Sequence, residues 1–333
     1  MSSVTRFHCP VCENEIWFHN SDCLACGTAL AYQPGRGFVP LEGVQPCGNR
    51  AVIGCNWVAM VPGDLCRSCC HTTVIPDLSL DGNDQRWARI EQAKRALFRL
   101  LIDIGLPLET PQGAPVPLFE FKGDLLRSGL GPHVLTGHEN SVITLNIAEA
   151  DGAERARLRA ELNEPYRTLT GHMRHEVAHH YWDVLVAPTP DRLARIRASF
   201  GDERQDYGAA LQQHYETGAP AGWEETFVST YATAHPWEDF AETWAHFLHI
   251  ISGLETACAY GLVPSTALAN GSAAQMVGLP MEQMAGVWID LCLALNAVNE
   301  TMGHGSFYPF VLSPAVIDKL ETVRQLIVAA RDA

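Results

Sequence analysis

The first long periodic pattern lies in residues 84–104, where Trp87, Ile90, Leu97, Leu101 and Ile104 recur at helical spacing. Asp84 stands where an N-cap would, and Gly105 and Pro107 end the run, so a helix is predicted there. The Pro-rich stretch 107–117 reads as a linker. Leu118–Phe121 opens a run of strand-like material that ends with Ser141–Ile147, which predicts a small sheet. From 153 onward the pattern is helical. Candidate helices are 153–162, 165–185, 189–199, 202–216, 223–233, 236–253, 281–301 and 313–331, separated by Gly, Pro and Asn signals such as Thr217–Gly222. A small sheet before a helical body is an α+β arrangement. Three parts are expected: a cysteine-rich module at 1–75, a bridging helix and linker at 76–117, and a mainly helical domain with a small sheet at 118–333.

Charge narrows the range of partners. The chain carries 23 Lys+Arg against 38 Asp+Glu, a net charge of −15 at pH 7, which points away from nucleic acid. Even the greasy segment Val287–Val298 is interrupted by Asp290 and Asn296, so no segment is expected to span a bilayer. The first twenty residues show no basic start followed by an apolar run, and a cytoplasmic location is the expectation.

Nine of the 11 cysteines precede residue 71, which in a reducing compartment reads as metal rather than disulfide. Cys9-Pro-Val-Cys12 and Cys23-Leu-Ala-Cys26 are two CxxC knuckles, a spacing that offers one tetrahedral zinc four thiolates. A looser set follows, Cys47, Cys55, Cys66 and Cys69, in which Cys70 or His71 could replace a member. Two structural zinc ions are therefore expected in a tandem zinc-ribbon-like module. Residues 1–75 hold four arginines against five carboxylates, and each zinc tetrathiolate adds roughly −2, so a phosphate-binding face is disfavoured. The metals are expected to replace a core that so short a segment cannot build.

The chemistry is concentrated further on. His175-Glu176-Val-Ala-His179 is an HExxH motif inside a predicted helix. Residues four apart share a helix face, so both imidazoles can reach one zinc while Glu176 stands beside them as general base for a polarised water. Downstream, Pro236 suits a helix start, and Glu238 and Glu242 then lie one turn apart on one face. One carboxylate can bind the metal and the other can hold a ligand histidine by hydrogen bond. Glu238 is the expected third ligand and Glu242 the expected partner of a motif histidine, with Glu242, Asp239 and Asp183 as the competing ligands. Tyr231 is a candidate to stabilise the oxyanion, with His235, Tyr207 and His214 as competitors. His180, His246 and His249 read as packing residues.

The HExxH helix, followed by Glu238-Asp-Phe-Ala-Glu242 with Tyr231 seven residues before the first Glu, resembles the gluzincin metallopeptidases. More closely, the chain resembles bacterial zinc-binding metallopeptidases that carry an N-terminal zinc-ribbon region. The residues responsible are the ribbon cysteines, Ile75–Ser79, Thr136–His138, Ile143–Ile147, Glu164–Thr168, Arg174–Asp183, Phe200–Arg204 and His235–Asp239. The resemblance implies a zincin-like zinc peptidase with a catalytic zinc and implies no particular substrate; a peptide or protein is the expected partner. It also implies that the strand 142–147 is a sheet edge along which an extended peptide would align. The expected activity is zinc-dependent peptide hydrolysis. Its rivals are a ribbon-based adaptor with an inactive metallo-site, and a zinc hydrolase acting on other amides.

Overall fold

The computed structural model describes residues 6–61, 63–123, 134, 136–152, 154–155 and 168–332. They divide into two compact units, the first ending at Met173 and the second running from Arg174.

The first unit opens with two antiparallel hairpins, β1 (Phe7–His8) with β2 (Glu15–Ile16) and β3 (Leu30–Gln33) with β4 (Gly37–Pro40). Strands this short build no sheet core of their own. Aromatic rings supply one instead: Tyr32 has its centroid 4.9 Å from Phe18, 5.5 Å from Phe38 and 5.4 Å from Trp57. Trp57 belongs to the second cysteine segment, and the backbone bonds Tyr32 N–H to Asn56 O and Val58 N–H to Tyr32 O join the two segments side by side. A single turn, α1 (Arg50–Ile53), sits between Cys47 and Cys55.

The bridging helix is α2 (Asn83–Asp103), which follows Gly82 at φ +78 and takes Asp84 into its first turn rather than using it as a cap. Trp87, Ile90, Leu97 and Leu101 are buried, as their spacing predicts. The same helix buries Glu91 and Lys94, whose ion pair at 3.1 Å has no exposed side-chain surface. Beside it lies a four-stranded sheet of β5 (Thr72–Val74), β6 (Leu118–Lys122), β7 (Gly137–Glu139) and β8 (Val142–Asn146) in the order β5-β6-β8-β7. β8 pairs in parallel with β6 and antiparallel with β7, so the strand expected at an edge is internal. The reason is local: Asn140 and Ser141 adopt positive φ (49° and 61°) and fold β7 back onto β8, occupying its outer side.

The second unit is helical. α3 (Leu169–Tyr181) crosses from the first unit and continues as a π turn over Trp182–Val186. It is followed by α4 (Pro190–Phe200), α5 (Tyr207–Thr217), α6 (Pro236–Ala259), α7 (Ala273–Met276), α8 (Met281–Thr301) and α9 (Pro314–Arg331). Proline opens α4, α6 and α9, where its missing N–H costs no helical bond. α6 forms the centre, burying Phe240, Trp244, Phe247, Leu248, Ile251 and Leu254 among its neighbours, which include α9, α8 and α4.

Two predicted helices differ. The one expected over 202–216 starts only at Tyr207, because Asp206 caps it by accepting from Ala209 N–H, and Asp202 folds its carboxylate onto Arg204. The one expected over 223–233 is replaced by two 3₁₀ turns, Trp223–Glu225 and Tyr231–Thr233. Thr226, Val228, Thr230 and Thr233 crowd this segment with β-branched side chains, and Thr233 Oγ1 donates back to Thr230 O at 2.6 Å, an alternative to helical pairing. Of the helix expected over 153–162 only Glu154 and Arg155 are described, and residues 165–167 of the next also fall outside the described residues. Among the described residues no helix is long and apolar enough to cross a membrane.

Candidate metal centre

Among the described residues, three groups of potential ligand atoms each lie within 4.8 Å of one another: Cys9, Cys12, Cys23 and Cys26; Cys47, Cys55, Cys66 and Cys69; and His175, His179 and Glu238.

The first tetrad is shaped by its turns. After each knuckle the chain takes a left-handed residue, Glu13 at φ 60 and Gly27 at φ 74, which lets Glu13 N–H reach Cys9 O and Gly27 N–H reach Cys23 O. Sulfur separations are 3.7 Å for Cys9–Cys26 and 3.6 Å for Cys12–Cys23. In the second tetrad Cys55 Sγ lies 3.7 Å from Cys66 and 3.8 Å from Cys69, all four residues are buried, and Cys66 N–H points at Cys47 Sγ at 3.3 Å. Thiolates about 2.3 Å from a tetrahedral zinc stand ~3.8 Å apart, so both donor sets have the spacing the ion requires. Cys70 and His71 take other partners, Cys70 Sγ on Arg67 O and His71 Nδ1 on Pro117 O at 2.8 Å.

The third group is built by α3 and the first turn of α6. An aromatic ladder sets their separation: Tyr181 stacks on Trp244 at 5.0 Å and 22°, and Trp182 meets Phe240 edge-on at 5.1 Å. On α3, His175 and His179 present their Nε2 atoms 3.2 Å apart. Glu238 Oε2 lies 3.0 Å from the first and 3.7 Å from the second, buried and with no hydrogen-bond donor aligned on it. Nitrogen and oxygen ligands about 2.0–2.1 Å from a tetrahedral zinc lie ~3.3 Å apart, which these three distances bracket. Glu176, between the two histidines on the same helix, is also buried.

Electrostatics agree with the spacing. Glu242 Oε1 lies 2.7 Å from His175 Nδ1, and its Oε2 accepts from Ser229 Oγ at 2.6 Å. An ionised carboxylate only accepts, so Nδ1 carries a proton, and in the neutral ring Nε2 is then a lone pair facing Glu238 and His179. Burial disfavours a charged His175, yet the carboxylates at its two nitrogens outweigh burial and hold its pKa well above the usual imidazole range. Burial likewise opposes ionisation of Glu238 and Glu242, but His179, His175 and the Tyr207 hydroxyl bring Glu238 to about 2, and His175, His246 and Ser229 bring Glu242 to about 2. Two carboxylates and two imidazoles arranged in this way call for a cation among them. The donor chemistry and the spacing both fit zinc.

The competing residues are placed elsewhere. Asp239, next to Glu238, turns away to a buried ion pair with Lys319 of α9 at 2.6 Å. Asp183 is exposed. His235 caps α6 by accepting from Trp237 N–H at 3.1 Å. His214 lies 3.2 Å from Thr233 Oγ1 through Nδ1, His246 lies 2.6 Å from Tyr308 OH, His249 lies 2.6 Å from an Arg174 nitrogen, and His180 packs against Tyr181. The Tyr231 ring stands 5.9 Å from the His175 ring, on the 3₁₀ turn that leads into α6. Tyr207, a competitor for the oxyanion role, instead puts its hydroxyl on Glu238 Oε1 at 2.7 Å, and two neighbours carried no sequence signal: Ser229 on Glu242 and Trp237 packed on His179 at 3.8 Å.

Comparison with known proteins places the chain in a family. Residues 6–42 match a zinc-ribbon domain, and residues 83–326 match the family described as "Putative zinc-binding metallo-peptidase". Uncharacterized proteins of Mycobacterium bovis and Mycobacterium tuberculosis are each 41% identical over 329 residues, covering 96% of this chain and 94% of theirs. No solved structure matches the chain. With the ribbon match at one end and the larger match covering most of the remainder, the chain belongs to this family of zinc-binding metallopeptidases.

Proposed function

We propose that the chain hydrolyses peptide bonds in a peptide or protein substrate, at a zinc held by His175, His179 and Glu238. The observation that carries the reading is the convergence of His175 Nε2, His179 Nε2 and Glu238 Oε2 within 3.7 Å, with Glu176 buried on the same helix. Zinc bound there would polarise the scissile carbonyl and acidify the attacking water. Glu176 takes the proton of that water as it attacks, then delivers it to the departing amine. Glu242 fixes the tautomer and the plane of His175, and Ser229 in turn fixes Glu242. Tyr231, beside His175, donates its hydroxyl to the oxygen on which negative charge develops. The two cysteine tetrads hold structural zinc. The acidic charge of the chain leaves nucleic acid outside this reading.

Metal removal tests it. Incubation with 1,10-phenanthroline followed by desalting is expected to abolish cleavage of an unfolded protein such as casein, and one equivalent of zinc is expected to restore it. Cleavage that persists in zinc-free protein contradicts the proposal. Hydrolysis of small non-peptide amides with no peptide cleavage would favour the amidohydrolase alternative.

A further inference from the structure

Tyr207 is the first residue of α5, and its hydroxyl donates to Glu238 Oε1 at 2.7 Å. The other oxygen of the same carboxylate, Oε2, is the one that faces the Nε2 atoms of His175 and His179. One oxygen is thus occupied by a neutral donor and the other is left for a cation. We infer that Tyr207 is a positioning residue that fixes Glu238 as a one-oxygen ligand and ties that ligand to the exposed helix α5. The inference rests on the metal-centre reading given above.

Two features support the role. A phenol satisfies the second oxygen without adding charge, whereas Lys or Arg in its place would neutralise the carboxylate and weaken its hold on a metal. The ring is oriented by the start of α6, meeting His235 edge-on at 5.2 Å and Trp237 at 5.8 Å, the two residues that flank Pro236.

The placement of Tyr207 matters because of the helix that carries it. None of the residues of α5 is buried, and the helix runs from the Asp206 cap to Gly218 at φ 72, with Gly222 at φ 75 shortly after. A helix with no buried face has little hydrophobic packing to fix it, so its few polar and ring contacts matter more. Here these include Tyr207 on Glu238 and His214 on Thr233. A change in the position of α5 is therefore transmitted to a metal ligand through one hydroxyl.

The test is Tyr207→Phe, which removes the hydroxyl and keeps the ring, with Tyr215→Phe on the same helix as control. Zinc affinity is measured on the full chain by competition with a chromophoric chelator, together with thermal melting. Tyr207→Phe is expected to weaken the zinc at His175/His179 by ~10–100-fold, leaving the ribbon zinc ions and the melting temperature at their wild-type values. Peptide cleavage by the variant should recover in excess zinc, and Tyr215→Phe should match wild type. Unchanged affinity at the His175/His179 site in Tyr207→Phe overturns the inference. A wild-type chain that binds no zinc at that site overturns the reading beneath it, a result distinguishable from the first.

Discussion

Glu176→Gln is expected to lower peptide hydrolysis by about 10²–10⁴-fold while zinc content stays at the wild-type value. The substitution keeps the shape of the side chain and removes only its ability to accept a proton. In the proposed centre His175, His179 and Glu238 supply the ligand atoms and Glu176 supplies none, so the metal is expected to be retained. Loss of turnover with retained metal separates a general base from a ligand. Elemental analysis and kcat on the same preparation check it, and turnover near wild type would sink the mechanism.

The second large effect is on stability. Replacing Cys66 and Cys69 together by Ser is expected to release one zinc and to make residues 6–71 sensitive to protease, while residues 174–332 keep a cooperative melt. Before Thr72 the described elements are strands of two to four residues and one turn each of α- and 3₁₀-helix, too little to bury a core unaided. Structural zinc contributes about 10–16 kcal/mol in small domains, as large as the whole stability of an ordinary one. The second tetrad is buried around the point where Trp57 joins the first hairpins, so its loss reaches both cysteine segments. Limited proteolysis read by mass spectrometry checks this, and wild-type resistance in the double variant contradicts it.

Much of this architecture is legible in the sequence because it is local. The Trp87–Leu101 periodicity, the CxxC knuckles, the HExxH spacing and the Pro236 start each lie within one element and follow from helix or turn geometry. Glu238 and Glu242 could be read as a pair because they lie one turn apart, and Asp239 could not be dismissed because Lys319 is 80 residues away. What escaped the reading is non-local or depends on competition. That β8 is internal follows from the fold-back of β7, which apolar alternation cannot reveal. Residues 223–233 carry helical apolar spacing, yet β-branched side chains and a threonine back-bond favour 3₁₀ turns. Ser229 reaches Glu242 across 13 residues and Tyr207 reaches Glu238 across 31, so neither leaves a spacing to recognise.

A zinc held by His175, His179 and Glu238 is tested most directly by the zinc content per chain, read by elemental analysis. The comparison is between wild type and a His175→Ala/His179→Ala double variant, both purified without added metal. Such a centre implies about three zinc ions falling to two, the pair that remains belonging to the cysteine tetrads. An unchanged count would contradict it.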